Sequence, residues 1–352
     1  MLTEKENFIR NVAMSGSEWT PCHVALSPAA WDYLRDDLEE VVLRHPSLFP
    51  RYKKGTIDYD NLTYFPGHGT GKPFTDAWGC TWETAVTGIE GVVTGHPIND
   101  WKELDSYSAP DPLVQADRGP ANWKEREKAF TKQRHNNQVV AGGLPHGFFF
   151  MRLQYLRGFE NLMFDMLEER PELHRLITIV LQHNITSIKK QLLYGLDVMW
   201  FGEDLGSQTA SIIRPAMFEK WILPHYRRMF GFCRKQNTYV SMHSDGYIME
   251  LVDMLIDAGV SVLNLQDLCN GLDNIERELK GRITIRLDVD RQKIVPFGKP
   301  NEIRELIKEE FMRLGSPQGG LEMLADIYPP TPPENIEAVC SAFEEFRTYW
   351  FD

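Results

Sequence analysis

After residue 137 the sequence repeats one pattern, an apolar run of strand length followed by an amphipathic segment of helix length. Such a series predicts βα units that build a parallel sheet. No GxGxxG motif follows an early strand, so the pattern favours a (β/α)8 barrel over an open dinucleotide-binding sheet. The six predicted strands are residues 138–141, 197–201, 238–242, 260–265, 283–287 and 321–324.

Composition narrows the choice of partners and compartment. The 352 residues are 42% hydrophobic, which is enough for a large core, and the net charge of -12 without a basic cluster disfavours nucleic acid. The N-terminal segment is charged, and no apolar stretch is long enough to cross a bilayer, so we expect a cytoplasmic protein without membrane contact. Five scattered cysteines without a CxxC pair argue against disulfides.

The ends of the predicted strands carry an unusual number of acids. In parallel barrels the functional side chains lie where strands run into the following loops. So many carboxylates in one place are costly unless a cation, protons or positive substrate groups share the site. We therefore predict an acidic site with one imidazole, built from Glu203, Asp204, His243, Asp245, Gln266, Asp267, Asp288, Asp290 and Asp326.

Several of these acids also fit a purely structural role. Asp245, followed by a glycine and a helical pattern, could be a helix N-cap, and the same holds for Asp267 and Asp290. His243 has no capping role, so a functional interpretation is favoured for it. Of the adjacent pair Glu203 and Asp204 only one can cap, which leaves the other for function.

Five stretches of the chain, in the same order, resemble the uroporphyrinogen decarboxylase superfamily. Within it they are most similar to the corrinoid-dependent methyltransferases, in particular the methyltransferase components of anaerobic O-demethylases. The resemblance implies a (β/α)8 barrel over residues 73–352 with loop insertions at its mouth, preceded by a helical or irregular extension over residues 1–72. The stretches are DAWGCTWE with GHPINDWKEL, GEDLGSQTASIIRPAMFEKWILPHYRRM, MHSDG with DAGVSVLNLQ, RITIRLDVDRQKIVPFGKPNEIRE, and GGLEMLADIYPPTPPENIEAVCSAFEEFR.

Departures from the family pattern favour one branch of it. The decarboxylases carry N-terminal arginines that bind porphyrinogen carboxylates, and the matching segment EWTPCHVALSPAAWDYL has none. Members that methylate thiols hold zinc through His-x-Cys and a distant Cys, whereas this chain has His243 and Asp245 and no cysteine in GGLEMLAD. The first departure disfavours decarboxylation of a porphyrinogen, and the second disfavours a thiol as the methyl acceptor. Oxygen ligands with one imidazole fit the cleavage of an ether instead.

The resemblance then implies the activity and its components. A methyl group would pass from a methoxylated, aromatic substrate to the Co(I) corrinoid of a separate corrinoid-binding protein, because this chain has no DxHxxG motif of its own. The leaving oxygen needs a proton or a metal ion. The predicted catalytic residues are His243, Asp204, Asp245 and Asp288, and the predicted zinc ligands are Glu203, Asp204 and His243. The predicted substrate contacts are Trp78, His146, Phe148, Phe149, Trp200 and Gln266.

Several alternatives remain open at this point. The donor could be an aryl ether, another ether or a methylamine, and the site could hold a metal ion or a proton. Relatives are often dimers, so a homodimer is also open. A cofactor-free decarboxylase of a smaller acid would need cations at the site, with Arg152, Arg214 and Arg286 as candidates, and a non-catalytic ligand receptor is the third reading.

Overall fold

The computed structural model describes residues 2–351, which form two compact units. Unit 1 comprises Met1–Tyr64, Thr87–Ile89 and Val262–Asp352, and unit 2 comprises Phe65–Val86 and Glu90–Ser261. The strands are β1 (Cys22–Leu26), β2 (Phe74–Thr75), β3 (Thr81–Glu83), β4 (Val92–Gly95), β5 (Gln115–Ala116), β6 (Gly119–Pro120), β7 (Ala141–Gly143), β8 (Val198–Gly202), β9 (Tyr239–Ser244), β10 (Val262–Gln266), β11 (Thr284–Asp288) and β12 (Leu321–Ile327).

Helices follow most of the longer strands. The α-helices are α1 (Glu4–Val12), α2 (Pro28–Leu34), α3 (Asp36–Arg44), α4 (Trp123–His135), α5 (Phe150–Arg157), α6 (Phe159–Leu167), α7 (Pro171–Leu192), α8 (Pro215–Trp221), α9 (Leu223–Lys235), α10 (Val252–Ala258), α11 (Asp267–Asn270), α12 (Leu272–Leu279), α13 (Ile294–Phe297), α14 (Pro300–Leu314) and α15 (Pro333–Phe346). Short 3-10 helices span Tyr59–Asn61, Trp101–Asp105 and Met249–Leu251. None of the helices within residues 2–351 combines the length and the apolar character that crossing a bilayer requires.

Unit 1 is built on four parallel strands, in which β10 pairs with β11, β11 with β12, and β12 with β1. Register places Leu287 beside Leu265 on one side and Met323 on the other, so these three share one buried, apolar face of the sheet. Helices α11 and α15 contact the strands of this unit. The alternate positions, which include Gln266 and Asp288, carry polar side chains to the opposite face.

The N-terminal residues do not form a separate extension. Strand β1 pairs in parallel with β12, and the backbone amide of Gly320 donates to the side-chain oxygen of Asn11 at 3.0 Å. The division between the units follows Tyr64, not residue 72. The run CHVAL, which the sequence analysis does not identify as a strand, is therefore part of the parallel sheet of this unit.

Unit 2 holds three parallel strands, β7, β8 and β9. Short antiparallel strands, β2 to β4 and the β5–β6 hairpin, account for part of the irregular region before residue 137. An aromatic cluster fills the space beside β8: the ring of Phe148 lies 5.1 Å from that of Phe201 and 5.3 Å from that of Tyr226. Burial of such rings supplies much of the hydrophobic stabilisation of this unit.

The predicted α/β class with repeated parallel strands is confirmed. All six predicted strands exist, and β1 makes seven parallel strands among residues 2–351, one fewer than an eight-stranded barrel requires. The observed strand ends differ from the predicted ones by at most three residues. The shift matters at β9, since His243 lies inside the strand and not after it.

Two buried carboxyl groups lie together in unit 1. Asp267 begins α11 and accepts the backbone amide of Asp290 at 3.0 Å, while Glu310, on α14, is fully buried. Burial raises the pKa of Glu310 well above its ordinary range, and the neighbouring Asp267 raises it further. Burial likewise raises the pKa of Asp267 to about 6. The fold therefore favours the protonated form of this pair.

Because the pKa values of Glu310 and Asp267 are raised in the folded state, we predict that the free energy of unfolding falls as pH rises. Burial disfavours the ionised carboxylate of Glu310 only in the folded protein. The loss of unfolding free energy therefore begins above the ordinary glutamic acid pKa of 4.5 and continues up to the raised pKa of the folded state. Glu310→Gln keeps the shape without the charge and should flatten this decline in urea unfolding measured from pH 5 to pH 9. Glu219→Gln, at an exposed position of α8, should keep the wild-type pH dependence, and equal profiles for the two variants would contradict the assignment.

Candidate functional site

The pairing of β8 with β9 positions the predicted histidine. Gly202 and His243 are register partners, so the imidazole stands on the same face of the sheet as Trp200, two residues earlier in β8. The ladder continues past the strand end, because the amide of Glu203 donates to the carbonyl of His243 at 3.1 Å. The position of His243 is thus fixed by backbone hydrogen bonds.

Two glycines explain the sequence HSDG. Gly246 has a φ of +80°, and a Cβ there would overlap the carbonyl group of Gly206. Close backbone contact lets the amide of Gly206 donate to the carbonyl of Asp245 at 3.2 Å, and that of Tyr247 to Ser207 at 2.7 Å. The loops after β8 and β9 are therefore locked together, each carrying one of the predicted acids.

The carboxylate of Asp245 does not cap a helix. The 3-10 helix Met249–Leu251 begins after Ile248, without a side-chain cap. Oδ1 of Asp245 lies 3.5 Å from Nε2 of His243 instead. Of the two interpretations open for Asp245, the structure favours the one that pairs it with the histidine.

A second histidine joins this site from the loop after β7. The amides of Leu144 and Gly147 donate to the carbonyls of Trp200 and Gly202, at 3.0 and 2.8 Å, which fixes the loop on both sides of His146. The ring packs on Gly202, where a Cβ would lie only 2.9 Å from Cδ2 of His146. Gly202 therefore makes the room that His146 occupies.

His146, Asp204, His243 and Asp245 form what we call the His–Asp cluster. Nε2 of His146 lies 3.2 Å from Oδ1 of Asp204, and the two imidazole centroids are 5.6 Å apart. One ligand atom each from His146, Asp204 and His243 lies within 4.8 Å of the others. Sequence reasoning assigned His146 only a substrate contact, although its place after a strand, in LPHG, is the signal that selected His243.

Charge pairing dominates the electrostatics of the cluster. Burial opposes the imidazolium of His146, but the hydrogen bond and the negative charge of Asp204 outweigh it and raise the pKa of His146. Burial also opposes ionisation of Asp204, yet the hydrogen bond from His146 and the nearby imidazoles lower the pKa of that carboxyl. The cluster is therefore built to hold positive charge beside Asp204.

Glu203, predicted as a metal ligand, lies elsewhere. Its buried carboxyl group accepts the amides of Phe149 and Phe150 at the start of α5, and the hydroxyl of Tyr226 at 2.9 Å. Burial raises the pKa of Glu203 to about 7 despite these donors. Glu203 thus stays outside the His–Asp cluster, because neighbouring residues at a strand end point to opposite faces, and this one faces α5.

Three of the predicted substrate contacts are core residues. Phe148 and Phe149 are buried beside Tyr226, with ring centroids 5.3 and 6.1 Å from it. Trp78 is buried against His183, with ring centroids 4.3 Å apart, and its Nε1 donates to Asp117. Trp200, half-buried on the face that carries His243, stays a candidate contact.

The remaining predicted residues belong to unit 1, where other groups satisfy their charges. Arg291 lies 3.1 Å from both Asp288 and Asp326. Asp290 accepts the amides of Gln292, Lys293 and Ile294, as the capping interpretation expected. Gln266, at the end of β10, is buried. The structure thus gathers only the unit 2 residues into the His–Asp cluster.

A family model described as uroporphyrinogen decarboxylase (URO-D) matches residues 75–346. The chain belongs to the uroporphyrinogen decarboxylase family. Membership confirms the family that the sequence motifs suggested, over nearly the same residues. A search of curated protein sequences finds no significant match to this family member.

One solved structure shows the fold of this family member over almost the whole chain. The methyltransferase from Methanosarcina mazei aligns with a TM-score of 0.66 at 18% identity, over 98% of this chain and 99% of that chain. This likeness confirms the expected barrel class. D-psicose 3-epimerase, solved in the presence of D-fructose, covers 65% of this chain and 84% of its own at 8% identity and a TM-score of 0.40. A xylanase from Gloeophyllum trabeum covers 63% and 80% at 12% identity and a TM-score of 0.39.

Because the backbones of Gly206 and Gly246 are in close contact, we predict that replacing Gly246 destabilises the protein more than most glycine substitutions do. Gly246→Ala adds both a positive-φ strain and a backbone overlap, so we expect it to cost about 2–5 kcal/mol of unfolding free energy. Gly55→Ala is the matched control, since Gly55 has a φ of +75° and open space around its Cβ position. Thermal and urea unfolding measure both, and a Gly246→Ala loss no larger than that of the control would contradict the locked-loop account.

Proposed function

We propose that this protein is a methyltransferase that moves a methyl group from a methoxylated, aryl ether substrate to the Co(I) corrinoid of a separate partner protein. Family membership and the fold shared with the methyltransferase from Methanosarcina mazei support the class of reaction. The observation that carries the proposal is the His–Asp cluster, which brings two imidazoles and two carboxylates together at the ends of parallel strands. Such a cluster suits the stabilisation of a leaving oxygen.

The chemistry places its main demand on that oxygen. The Co(I) corrinoid of the partner protein would supply the electron pair for the new bond to the methyl carbon. The bond between methyl carbon and ether oxygen breaks, and the oxygen keeps the bonding electrons. It must therefore receive a proton or contact a cation as the bond breaks. His146 and His243, each beside a carboxylate, are placed to provide that positive charge.

The environment of the cluster also bears on the substrate. Trp200 is half-buried on the same sheet face as His243 and offers an aromatic surface against which a methoxylated ring can stack. We assign this contact to the substrate in place of Phe148, Phe149 and Trp78, which lie in the core.

The decarboxylase alternative is less well supported. It needs cationic side chains to bind the substrate acid, and two of its three candidates are paired with internal carboxylates. Arg152 is buried between Asp76 and Asp117, at 3.1 and 2.6 Å. Arg286 lies 3.4 Å from the buried Glu322. Breaking such buried pairs to bind a substrate would cost several kcal/mol (~3–5).

The proposal predicts methyl transfer in a direct assay. Under anaerobic conditions, the protein is mixed with cob(I)alamin and a panel of methoxyaromatics, and the visible spectrum is followed for methylcob(III)alamin. We expect conversion with at least one donor, with a rate about 10²–10⁴-fold lower in His243→Ala. His135→Ala, at the exposed end of α4, should match the wild type. No conversion of any ether or methylamine, with a corrinoid protein supplied, would contradict the proposal and favour the decarboxylase.

A second prediction concerns the partner. A corrinoid protein presents its cobalt in one orientation, whereas free cobalamin must find that orientation by diffusion, so the protein-bound corrinoid should react faster at the same low concentration. Rates are compared at equal corrinoid concentrations with one methoxyaromatic. Equal rates for free and protein-bound corrinoid would remove the need for a partner.

A further inference from the structure

We infer that Met151 is a positioning residue of the His–Asp cluster, because its thioether sulfur holds the backbone of Asp204 and thereby sets where the carboxylate of Asp204 meets His146. Met151 is the second residue of α5 and is half-buried. The consequence for methyl transfer rests on the proposed function, but the contact itself can be measured without substrate or corrinoid.

The backbone at the end of β8 uses its amides in two directions. Toward β9, the amide of Glu203 donates to the carbonyl of His243 at 3.1 Å. The amide of Asp204 donates instead to Sδ of Met151, at 3.0 Å. On the β7 edge the neighbouring loop gives its own amides to β8, so the sulfur supplies the acceptor that a strand partner would otherwise offer there. An amide of the protein interior is costly without such an acceptor.

The buried carboxyl group of Glu203 holds Met151 in this position. It accepts the amides of the two residues that precede Met151, so the start of α5 is fastened to the end of β8. A Cβ at Gly147 would lie 3.2 Å from Cβ of Met151, which shows how closely the two residues pack. Met151 therefore contacts both the loop that carries His146 and the backbone of Asp204.

A second donor restricts the sulfur. The hydroxyl of Tyr155, one turn later in α5, donates to the same Sδ at 3.8 Å. The ring of Tyr155 is itself packed on Gly147, where a Cβ would lie 2.7 Å from Cε2 of the tyrosine. Methionine is otherwise a flexible side chain, so contacts with two donors are needed to fix the sulfur of Met151 in one place.

A displacement of the Asp204 backbone would reach the reacting groups directly. Nε2 of His146 lies 3.2 Å from Oδ1 of Asp204, and this pair places positive charge where the leaving oxygen needs it. Both side chains are about one-third exposed, so water can compete for the amide once the sulfur is removed. A shift of about 1 Å in a reacting group can lower a rate about 100-fold. Met151 should therefore affect the rate of methyl transfer more than substrate binding.

Two substitutions of Met151 distinguish a hydrogen-bond acceptor from a packing residue. Leucine keeps the apolar volume and removes the acceptor, whereas glutamine offers a carbonyl oxygen at similar reach. Hydrogen exchange of the Asp204 amide is measured by NMR on the full chain, and we expect it to be about 10-fold faster in Met151→Leu and close to the wild-type rate in Met151→Gln. With cob(I)alamin and the methoxyaromatic that the wild type converts fastest, kcat should fall about 10–100-fold in Met151→Leu at unchanged KM, and Met151→Gln should restore it.

Met163→Leu and Met163→Gln are the matched controls, since Met163 is half-buried on the next helix, α6, and both should leave exchange and kcat unchanged. A packing role for Met151 predicts the reverse order, with leucine tolerated and glutamine impaired, and that order would overturn the inference. Equal exchange of the Asp204 amide in Met151→Leu and wild type would also overturn it, as would an unchanged kcat despite faster exchange. A wild type that converts no donor would contradict the proposed function alone, and the exchange rates would still decide whether Met151 holds Asp204.

Discussion

The hydrogen-bonded pairing of β8 with β9 is the constraint on which the site depends. It sets Gly202 beside His243, and the two loops that leave these strands then meet backbone to backbone at Gly206 and Gly246. No side chain larger than hydrogen fits at Gly246, so the contact fixes the loop geometry without any flexible side chain. Site residues held in this way lose little entropy when they bind an ion or a substrate.

The acids at the strand ends are explained one by one by their partners. Glu203 receives the amides at the start of α5, Asp290 receives three successive amides, and Asp288 lies beside Arg291. Only Asp204 and Asp245 are directed at imidazoles. The site is therefore less acidic than the sequence suggests, because most of these carboxylates stabilise backbone amides or pair with a cation.

The sequence predicted the strand series, His243 and Asp204, because hydrophobic runs and the strand-end rule are local signals. It could not separate Glu203 from Asp204, since which side chain faces α5 depends on the exact residue at which β8 ends. It also placed Phe148 and Phe149 at the substrate, although their burial follows from packing against Tyr226, a residue far along the chain. The placement of the His146 ring depends on Gly202, and nothing in the local sequence of either residue reveals that contact.

A crystal structure of the protein with the demethylated phenol of its best donor would test the central claim most directly. The account predicts that the phenolic oxygen lies within hydrogen-bonding or metal-coordinating distance of His146, Asp204 and His243, with the aromatic ring beside Trp200. A phenol bound away from these residues, for example with its oxygen on Arg291, would contradict the assignment of the His–Asp cluster as the place where the methyl–oxygen bond breaks.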